Sequence, residues 1–517
     1  MTNQQLSLFA NPRPAAELVE EIEALTAEIQ QLYCQDHLPW IIGYSGGKDS
    51  SCVLQLVWNA IFQLPPPKRH KKVYVITTDT RVENPIVASW VKSRIAKLQE
   101  AATQHNMPFE AHLLYPEVKD SFWVCLIGKG YPAPRRGFRW CTDRLKIQPA
   151  DNFIRKTLRR HGEIILVLGT RKAESISRAI NMEKHARLER IQARLNIHSR
   201  FPNSYIYTPI EDWQTSDVWF YLLQYPNPWG GDNQDLFALY RGATADNECP
   251  LVLDTQTPSC GDSRFGCWVC TMVSRDKSME AMIQNDEEKK WLQPLLELRN
   301  ELDAVDDRDK RDFRRLNGKV ELYERRLENG QISIEPIPGP YLKKWREYWL
   351  RKLLEAQVSI RKNAPPEYRD VQLISMEELH EIRRIWLEEK HEFDDSLPFI
   401  YEEVTGEKFP YPTVYGRVDK PLLGREEWQL LEEICGDDAM RLELVTRLLD
   451  IERQYYTKVR RVGIYKALEK CFETSSRSKE EAIAHALMVQ RLRKAAREKD
   501  VKALQQTLSW GEIKFPS

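Results

Sequence analysis

Several features that would point to a membrane, a secreted protein or a general nucleic-acid binder are missing from this sequence. Its 76 lysines and arginines are balanced by 76 aspartates and glutamates, so no overall positive field draws the chain to nucleic acid. No apolar run reaches the roughly 18 residues that a membrane helix needs, and residues 1–14 lack the charged-then-apolar order of a signal peptide. We therefore expect a cytoplasmic protein without a membrane segment, whose ten cysteines are thiols rather than disulfides.

The ordinary phosphate-binding motif GxxxxGK[ST] is also absent. In its place the sequence SGGKDS at Ser45–Ser50 follows a strand-like stretch and precedes a helix-like one. Backbone N–H groups and the positive end of the helix dipole meet at such a turn, which predicts a phosphate site. The two glycines let the backbone approach an anion, Lys48 adds a cation, and Asp49 suits a bound Mg²⁺. The alternative is an ordinary glycine turn that opens a helix.

Further polar side chains follow the predicted strands, which cover residues 41–44, 73–77, 111–114, 164–168 and 205–208. Asp79 comes after the second strand, where a carboxylate can bind a ribose hydroxyl or a metal-bound water. After the fourth strand, Gly169 permits close backbone approach and Arg171 can bind phosphate through two N–H groups. Alternation of strands and helices implies a mainly parallel sheet, so these side chains are expected at one edge of it.

Cys141 lies within a cationic stretch of the sequence that contains Arg135, Arg136, Arg139, Arg144 and Lys146. Nearby positive charge lowers the pKa of a thiol and increases its thiolate fraction. The pattern therefore predicts a sulfur nucleophile or sulfur carrier at Cys141. The same cations would also suit phosphate or sulfate, and a half-buried structural cysteine in a basic loop is the alternative.

Four further cysteines fall within an irregular segment over residues 225–275, namely Cys249, Cys260, Cys267 and Cys270. Four thiolates suit zinc or an iron–sulfur cluster. A structural zinc site usually has two closely spaced cysteine pairs, whereas only Cys267 and Cys270 form a CxxC pair here. The spacing favours a [4Fe–4S] cluster over zinc, with unliganded thiols as a third interpretation. Most of the remaining cysteines are expected in the core, as are Trp213 and Trp219.

The joint order SGGKDS, TTDT, CTDRLK, GTRxxES and PIEDWxxxDVW over residues 40–220 resembles the PP-loop ATP pyrophosphatases, in the branch of the PAPS reductases and the small subunit of ATP sulfurylase. The resemblance implies an α/β fold with a parallel sheet and cleavage of ATP into AMP and pyrophosphate. It implies that Asp79 lies beside the nucleotide, that Arg171 faces phosphate, and that the phosphates are held by Ser45, Gly46, Gly47, Lys48, Asp49 and Ser50. The sequence ends in WGEIKFPS, without the catalytic cysteine tail of assimilatory reductases, so simple PAPS reduction is not expected.

Together with the four-cysteine segment and a long charged helical region, the layout resembles the DndC family, the sulfurtransferase component of bacterial DNA phosphorothioation. This resemblance implies ATP, Mg²⁺ and a [4Fe–4S] cluster as cofactors, with the four cysteines as cluster ligands. It implies a cysteine desulfurase as sulfur donor, and partners of the DndD and DndE type through which DNA is engaged. The alternatives are a sulfonucleotide reductase, a tRNA thiolation enzyme, and a non-enzymatic ATP sensor within a defence complex.

The same layout predicts four regions. They are an N-terminal helix at residues 1–39, a PP-loop domain at 40–224, an iron–sulfur segment at 225–277 and a charged α-helical region at 278–517. Within the last region the periodicity predicts helices at 425–435, 440–471 and 479–498. Its cationic faces after residue 458 suit a phosphate backbone or a protein partner, and a solvated helix face is the alternative.

Overall fold

The computed structural model describes residues 13–135, 137–174, 190–192, 194–198, 200–242, 266–326, 331–392, 394–411, 413–414, 417–418, 425–436, 438–456, 460–475 and 477–498. The chain forms two compact units. Unit 1 comprises Met1–Phe122, Pro134–Asp303 and Ala356–Leu373, and unit 2 comprises Trp123–Ala133, Ala304–Glu355 and Ile374–Ser517. The four predicted regions stay a prediction.

Unit 1 contains a seven-stranded sheet. Its strands are β1 Trp40–Gly43, β2 Val73–Thr78, β3 Phe109–Leu114, β4 Ile164–Val167, β5 Arg190–Gln192, β6 Leu195–Ile197 and β7 Ser204–Tyr207. In the order β3-β2-β1-β4-β7-β6-β5, the first five strands run parallel, whereas β6 is antiparallel to both of its neighbours. The parallel strands confirm the five predicted from the sequence. The short β5 and β6 carry too few residues for a periodic pattern and were not predicted.

The helices of this part of the chain are α1 Ala15–Gln35, α2 Lys48–Phe62, α3 Pro85–Gln104, α4 Gln148–His161, α5 Thr215–Gln224, α6 Asn233–Gly242, α7 Lys277–Asn285 and α8 Gln293–Leu302. Helix α6 lies in the segment expected to be irregular, and this expectation was wrong for residues 233–242. The helix is only ten residues long, and its aromatic residues pack edge-on against Trp219. Tertiary packing rather than a long periodic pattern therefore stabilises it.

The core of unit 1 lies on both faces of the sheet. Trp40 and Ile42 of β1 belong to the larger cluster, whereas Ile41 between them belongs to the smaller cluster on the opposite face. This alternation is what a strand covered on both sides requires. Trp213 and Trp219 are fully buried in the larger cluster, as predicted. The sheet therefore gives a rigid base to the loops that follow its strands.

Beyond residue 303 the chain is mainly helical, as predicted, but it also contains a β-hairpin of β8 Leu322–Arg326 and β9 Ile332–Pro336 and a small ladder of β10 Thr413–Val414 and β11 Arg417–Val418. The hairpin contradicts the helical prediction for residues 322–336. Its alternating charges form cross-strand ion pairs, such as Arg325–Glu335 at 3.1 Å, rather than one face of a helix. The helices are α9 Lys343–Asn363, α10 Met376–Arg384, α11 Ser396–Thr405, α12 Arg425–Cys435, α13 Ala439–Tyr456, α14 Ile464–Ser475 and α15 Lys479–Glu498. None of the described helices is both long and apolar enough to cross a membrane.

The single helix predicted at 440–471 is two helices, α13 and α14. Gly463, directly before α14, has a φ of +93°, a conformation that favours glycine and ends a helical path. Of the five cysteines outside the site, Cys52, Cys125, Cys435 and Cys471 are buried as expected, whereas Cys34 is exposed.

The first turn of α15 carries the capping box expected from Ser478 and Glu481. The Ser478 N–H donates to the Glu481 carboxylate at 2.9 Å, and the Glu481 N–H donates to Ser478 Oγ at 3.3 Å. We expect Ser478→Ala to lower the local opening free energy of α15 by about 1 kcal/mol, measured by hydrogen exchange of its first-turn amides. Ser478→Asp should retain the protection because aspartate also caps. Equal loss in both variants would contradict a capping role.

Candidate functional site

The SGGKDS loop joins β1 to α2, which begins at Lys48 with Gly47 as its N-cap. Gly46 has a φ of +77°, and a Cβ added there would lie 2.4 Å from a methyl carbon of Val91, so only glycine fits. Ser50 Oγ accepts from the Ser45 N–H at 3.2 Å and donates to the Gly47 carbonyl at 3.0 Å. The loop is therefore shaped by its own serines and stands at the N-terminus of a helix, as the phosphate prediction requires.

Tyr240 of α6 contacts this loop. The Lys48 N–H donates to the Tyr240 hydroxyl at 3.3 Å, and the Lys48 ammonium lies 5.6 Å from the centre of the Tyr240 ring. The ring itself packs edge-on against Trp219. Tyr240 was not among the predicted site residues, because it follows the predicted domain in a segment without clear periodicity. Its oxygen accepts from an N–H group that a bound phosphate would also use.

Asp49 is held by two cations. Its Oδ1 accepts from Arg171 Nε at 2.7 Å, and its Oδ2 lies 3.1 Å from Lys48 Nζ. Arg171 is 1% exposed and also donates to the Trp213 carbonyl at 3.0 Å and towards Thr215 Oγ1 at 3.4 Å. The Arg171 guanidinium is directed to these protein oxygens, and its contact with phosphate stays a prediction. Arg171 acts as a positioning residue for Asp49.

The chemistry of the carboxylates here fits Mg²⁺. Asp49 stands in the loop, and Asp79 directly follows β2 as predicted. Carboxylate oxygens are the ligands that Mg²⁺ prefers. In this structure Asp49 pairs with Lys48 and Asp79 pairs with Lys92 at 3.0 Å. A metal bound to either carboxylate would therefore replace or share a lysine contact.

A cavity of about 340 Å³ opens at the carboxyl edge of the sheet. Ser45 and Asp79 contribute polar groups to its lining, together with Glu83, Lys92 and Lys146. Apolar side chains form the rest of the wall, among them Ile76, Val87, Leu113, Ile154, Leu166 and Leu168. The volume and the mixture of apolar walls with a few polar groups are typical of a small-ligand site, and an adenine ring with its ribose suits them.

Gly169 lies in the loop after β4, at the point where this loop packs against the SGGKDS loop. A Cβ added to Gly169 would lie 2.8 Å from the backbone oxygen of Asp49, closer than real Cβ atoms approach. The predicted close backbone approach at Gly169 is thus directed at the SGGKDS loop. The absence of a side chain at this position lets the two loops pack at contact distance.

The CxxC pair lies beside the segment that follows β2. Cys267 forms an antiparallel bridge with Glu83, and the Trp268 N–H donates to the Val82 carbonyl at 2.9 Å. Cys267 Sγ lies 3.3 Å from Thr80 Oγ1 and 3.7 Å from the Glu83 carboxylate. Since Glu83 lines the cavity, the structure brings the cysteine pair next to the predicted nucleotide site.

Only part of the predicted metal site lies within the described residues. Cys249 and Cys260 lie outside the described residues. Within the described part of the chain, no group of three or more histidine, cysteine or acidic side chains is arranged to hold a metal ion. Cys267 and Cys270 therefore offer half of a four-thiolate set, and the [4Fe–4S] cluster stays a prediction.

Cys141 directly precedes a π-helical turn, Thr142–Ile147, and is half-buried. The expected lowering of its pKa was wrong. Burial raises the pKa of the Cys141 thiol, and the neighbouring Cys270 adds to this effect, while Thr142 and Lys146 oppose it. The cations expected to stabilise the thiolate are paired or exposed. Arg144 pairs with Asp120, and Lys146 pairs with Glu83. Arg135 and Arg139 are exposed, and Arg136 lies outside the described residues.

Lys146 contacts both the cavity and Glu83, the residue bridged to Cys267. It lines the cavity, and its ammonium lies 3.5 Å from the Glu83 carboxylate. The Cys267 thiolate, which forms only at high pH, and the Glu83 carboxylate raise the pKa of Lys146 above its usual range. Burial, followed by the charge of Glu83, raises the pKa of Cys267 to about 12. In the absence of a bound metal, both Cys141 and Cys267 are therefore thiols at neutral pH.

Arg299 of α8 holds the turn that follows the CxxC pair. Its side chain is 1% exposed and donates to the carbonyl of Cys270 at 3.0 Å and to that of Ser274 at 3.2 Å. It also donates to the Val273 carbonyl, and it pairs with Asp303 at 3.0 Å. Nothing in the sequence distinguishes this arginine from its many charged neighbours. Its contacts show that the cysteine turn is shaped by protein groups.

Comparison with known proteins supports the motif-based interpretation. Residues 39–229 match the family model of the phosphoadenosine phosphosulfate reductase domain. This part of the chain is therefore similar to PAPS reductase domains, which supports the PP-loop assignment and an enzyme that uses nucleotides. The finer resemblance to DNA phosphorothioation proteins stays a prediction.

An uncharacterized protein from Methanocaldococcus jannaschii is 26% identical over 204 residues, which is 39% of this chain and 35% of that protein. The chain thus spans about a third of that relative's length. Similar solved structures include the PAPS reductase of Candida auris, with 12% identity, a TM-score of 0.26, and coverage of 41% of this chain and 87% of that one. The U34-tRNA thiolase NcsA of Methanococcus maripaludis with its [4Fe-4S] cluster has 12% identity, a TM-score of 0.27, and coverage of 56% and 82%.

Proposed function

We propose that this chain is an ATP-dependent sulfurtransferase of bacterial DNA phosphorothioation. In this proposal ATP activates a phosphate of the DNA backbone, and sulfur then replaces one of its non-bridging oxygens. The observation that supports it most strongly is the bridge between Glu83 and Cys267, because it sets a pair of thiols beside the cavity and the phosphate loop. Nucleotide activation and sulfur chemistry are then possible at neighbouring positions.

The activation step uses the loop. An oxygen of the DNA phosphate attacks the α-phosphorus of ATP, the bond from that phosphorus to pyrophosphate breaks, and an adenylylated phosphate forms. Backbone N–H groups at the start of α2 and the Lys48 ammonium stabilise the charge that develops on pyrophosphate. Asp49, oriented by Arg171, would hold Mg²⁺, which neutralises phosphate charge when bound.

The second step transfers sulfur. A persulfide on a carrier cysteine, supplied by a cysteine desulfurase, attacks the activated phosphorus through its outer sulfur, and AMP leaves. A dithiol reductant then cleaves the S–S bond, which leaves sulfur on phosphorus, returns the cysteine to a thiol and oxidises the reductant to a disulfide. Cys141 is our candidate carrier because Cys270 is near enough to raise its pKa, yet Cys141 is not one of the four predicted cluster ligands.

The cluster and the partners complete the proposal. Cys249, Cys260, Cys267 and Cys270 would hold a [4Fe–4S] cluster, which could fix the shape of this segment, set its redox state or carry the sulfur. The balanced charge of the chain supports a need for partners, because a neutral protein gains little from the phosphate backbone on its own. We therefore assign DNA engagement to a complex with components of the DndD and DndE type.

The test uses anaerobically purified full-length protein with ATP, Mg²⁺, DNA and the partner components. We expect Lys48→Ala to reduce pyrophosphate release at least about tenfold, because it removes a cation that stabilises the leaving group. Cys267→Ser should preserve pyrophosphate release but abolish sulfur incorporation into DNA, measured by mass spectrometry of the digested nucleotides. Lys97→Ala, at an exposed position of α3, is the matched control and should leave both readouts unchanged.

Two outcomes would contradict the proposal. Absence of pyrophosphate release with every acceptor would exclude the activation step and favour an ATP sensor. Release of sulfite from an adenylyl sulfate, dependent on a thiol reductant, would establish the second candidate, sulfonucleotide reduction. The match of residues 39–229 to the PAPS reductase domain favours that second candidate.

A further inference from the structure

Unit 2 contains a cavity of about 650 Å³ that is separate from the nucleotide site. Its walls come from the turn at residues 312–318, the start of α9, the residues after α10, and helices α12 to α14. Cations outnumber carboxylates on these walls. The cationic side chains besides Lys390 are Arg314, Arg315, Lys343, Arg346, Arg447 and Lys470.

The carboxylates on the walls are already paired with arginines. The pairs are Glu392 with Arg346, Asp312 with Arg314 at 2.9 Å, Glu443 with Arg314 and Arg447 at 2.8 Å each, and Glu389 with Arg384 at 2.8 Å. Because each negative charge has a guanidinium partner, the carboxylates neutralise arginines rather than the lysine at the cavity wall.

Lys390 is that lysine. It follows the π-helical turn Ile385–Glu389, is half-buried, and its backbone N–H donates to the Ile385 carbonyl at 3.0 Å. Within the described part of the chain, its ammonium has no hydrogen-bond or ion-pair partner. Burial, helped by the charge of Arg346 and opposed by Glu392, Asp312 and Glu389, lowers the pKa of Lys390 to about 8. A partly buried ammonium that contacts no carboxylate directly is unfavourable in a wall whose other charges are paired.

We propose that this cavity binds a phosphate-bearing ligand, and that the Lys390 ammonium donates to a phosphate oxygen. An entering oxyanion supplies the partner that the lysine lacks and balances the cationic excess of the walls. The volume accommodates a ligand up to the size of a nucleotide, and the Trp428 side chain contributes an aromatic surface to the lining. Free nucleotides, pyrophosphate and the phosphodiesters of nucleic acid share this chemistry. The inference does not depend on the activity proposed for unit 1.

Binding is measured with the full chain carrying Lys48→Ala, which weakens the phosphate loop of unit 1. Radiolabelled pyrophosphate and a short single-stranded DNA are titrated separately. We expect Lys390→Met to weaken binding at least tenfold, whereas Lys390→Arg, which keeps the charge, should stay within about threefold of the parent. Lys408→Met, at an exposed position of the same unit, is the control and should not change binding.

The two ligands identify the source of the phosphate. Lys390-dependent binding of pyrophosphate alone supports a free phosphate ligand, and Lys390-dependent binding of DNA alone supports a nucleic-acid backbone. If neither ligand binds the parent, or if Lys390→Met binds both as the parent does, the proposal is overturned. A far-UV circular dichroism spectrum and a urea unfolding midpoint that match the parent show that Lys390→Met is folded.

The pH dependence gives a second readout. Because the ammonium loses its proton as the pH rises through about 8, affinity for DNA should fall between pH 7 and pH 9 in the parent. Phosphodiesters do not titrate in this range, so the change reports the protein. The other charged or titratable groups beside Lys390 on the cavity wall are Arg346, Glu389, His391, Glu392 and Asp312. Lys390→Arg should lack this fall, and an equal fall in that variant would exclude Lys390 as the titrating group.

Discussion

Replacing Arg171 with methionine is expected to lower the free energy of unfolding of unit 1 by about 3 kcal/mol. The change removes the 2.7 Å hydrogen bond to Asp49 and the 3.0 Å hydrogen bond to the Trp213 carbonyl, while methionine fills much of the same volume. The loss is large because Arg171 is 1% exposed, so water cannot replace its contacts, and among the described residues Asp49 then keeps only Lys48 as a partner. Urea unfolding, followed by the fluorescence of the buried tryptophans, measures the change.

Lys172→Met is the matched control for this prediction. Lys172 is the next residue and pairs with Asp212 at 2.7 Å, but its side chain is 32% exposed. An exposed pair contributes less than about 1 kcal/mol, so this variant should unfold almost as the parent does. If the two variants lose equal stability, burial of the Arg171–Asp49 pair is not what stabilises the loop. Arg171→Met should also reduce pyrophosphate release, since Asp49 loses its orientation.

Replacing Gly169 with alanine is expected to slow ATP-dependent pyrophosphate release by about 100-fold, the scale of effect that a displacement of about 1 Å has on a positioned reaction. The added Cβ would lie 2.8 Å from the Asp49 oxygen and 2.9 Å from the Asp49 carbonyl carbon. Both atoms belong to the backbone, so no side-chain rotation relieves the contact. The first turn of α2 must shift instead, and the N–H groups that we propose bind phosphate shift with it. Single-turnover pyrophosphate assays measure the effect.

Gly137→Ala is the control, because nothing lies within 4 Å of a Cβ added there. It should release pyrophosphate at the parent rate. If Gly169→Ala also does so, the close approach between the two loops does not determine the geometry of the phosphate site. Near-parental stability of Gly169→Ala in urea would show that any loss of activity comes from local displacement rather than unfolding.

The parts of the fold that follow from local patterns could be predicted from the sequence. Runs of β-branched and apolar residues located the five parallel strands, and the order of strands and helices placed Asp79 and the SGGKDS loop at one edge. Those features depend on neighbours a few residues away. The capping box at Ser478 was predictable for the same reason, since both partners lie within one helical turn.

The features that the sequence could not give depend on contacts between distant residues. The hydrogen bond between Arg171 and Asp49 joins residues that lie 122 positions apart in the sequence. The pKa of Cys141 was expected to fall because of cations nearby in sequence, yet burial dominates in the folded chain. Arg299 and Tyr240 act through backbone carbonyls and an N–H group of other segments, and neither kind of contact leaves a motif.

The contact between Tyr240 and the phosphate loop implies competition. A phosphate that takes the Lys48 N–H must exchange places with the tyrosine hydroxyl, so its affinity includes the loss of that hydrogen bond. By thermodynamic reciprocity, any event that draws α6 away from the loop strengthens phosphate binding, and phosphate binding favours release of α6 to the same extent. Because Cys249 follows α6 closely in the sequence, this exchange would link the predicted nucleotide site to the predicted cysteine segment.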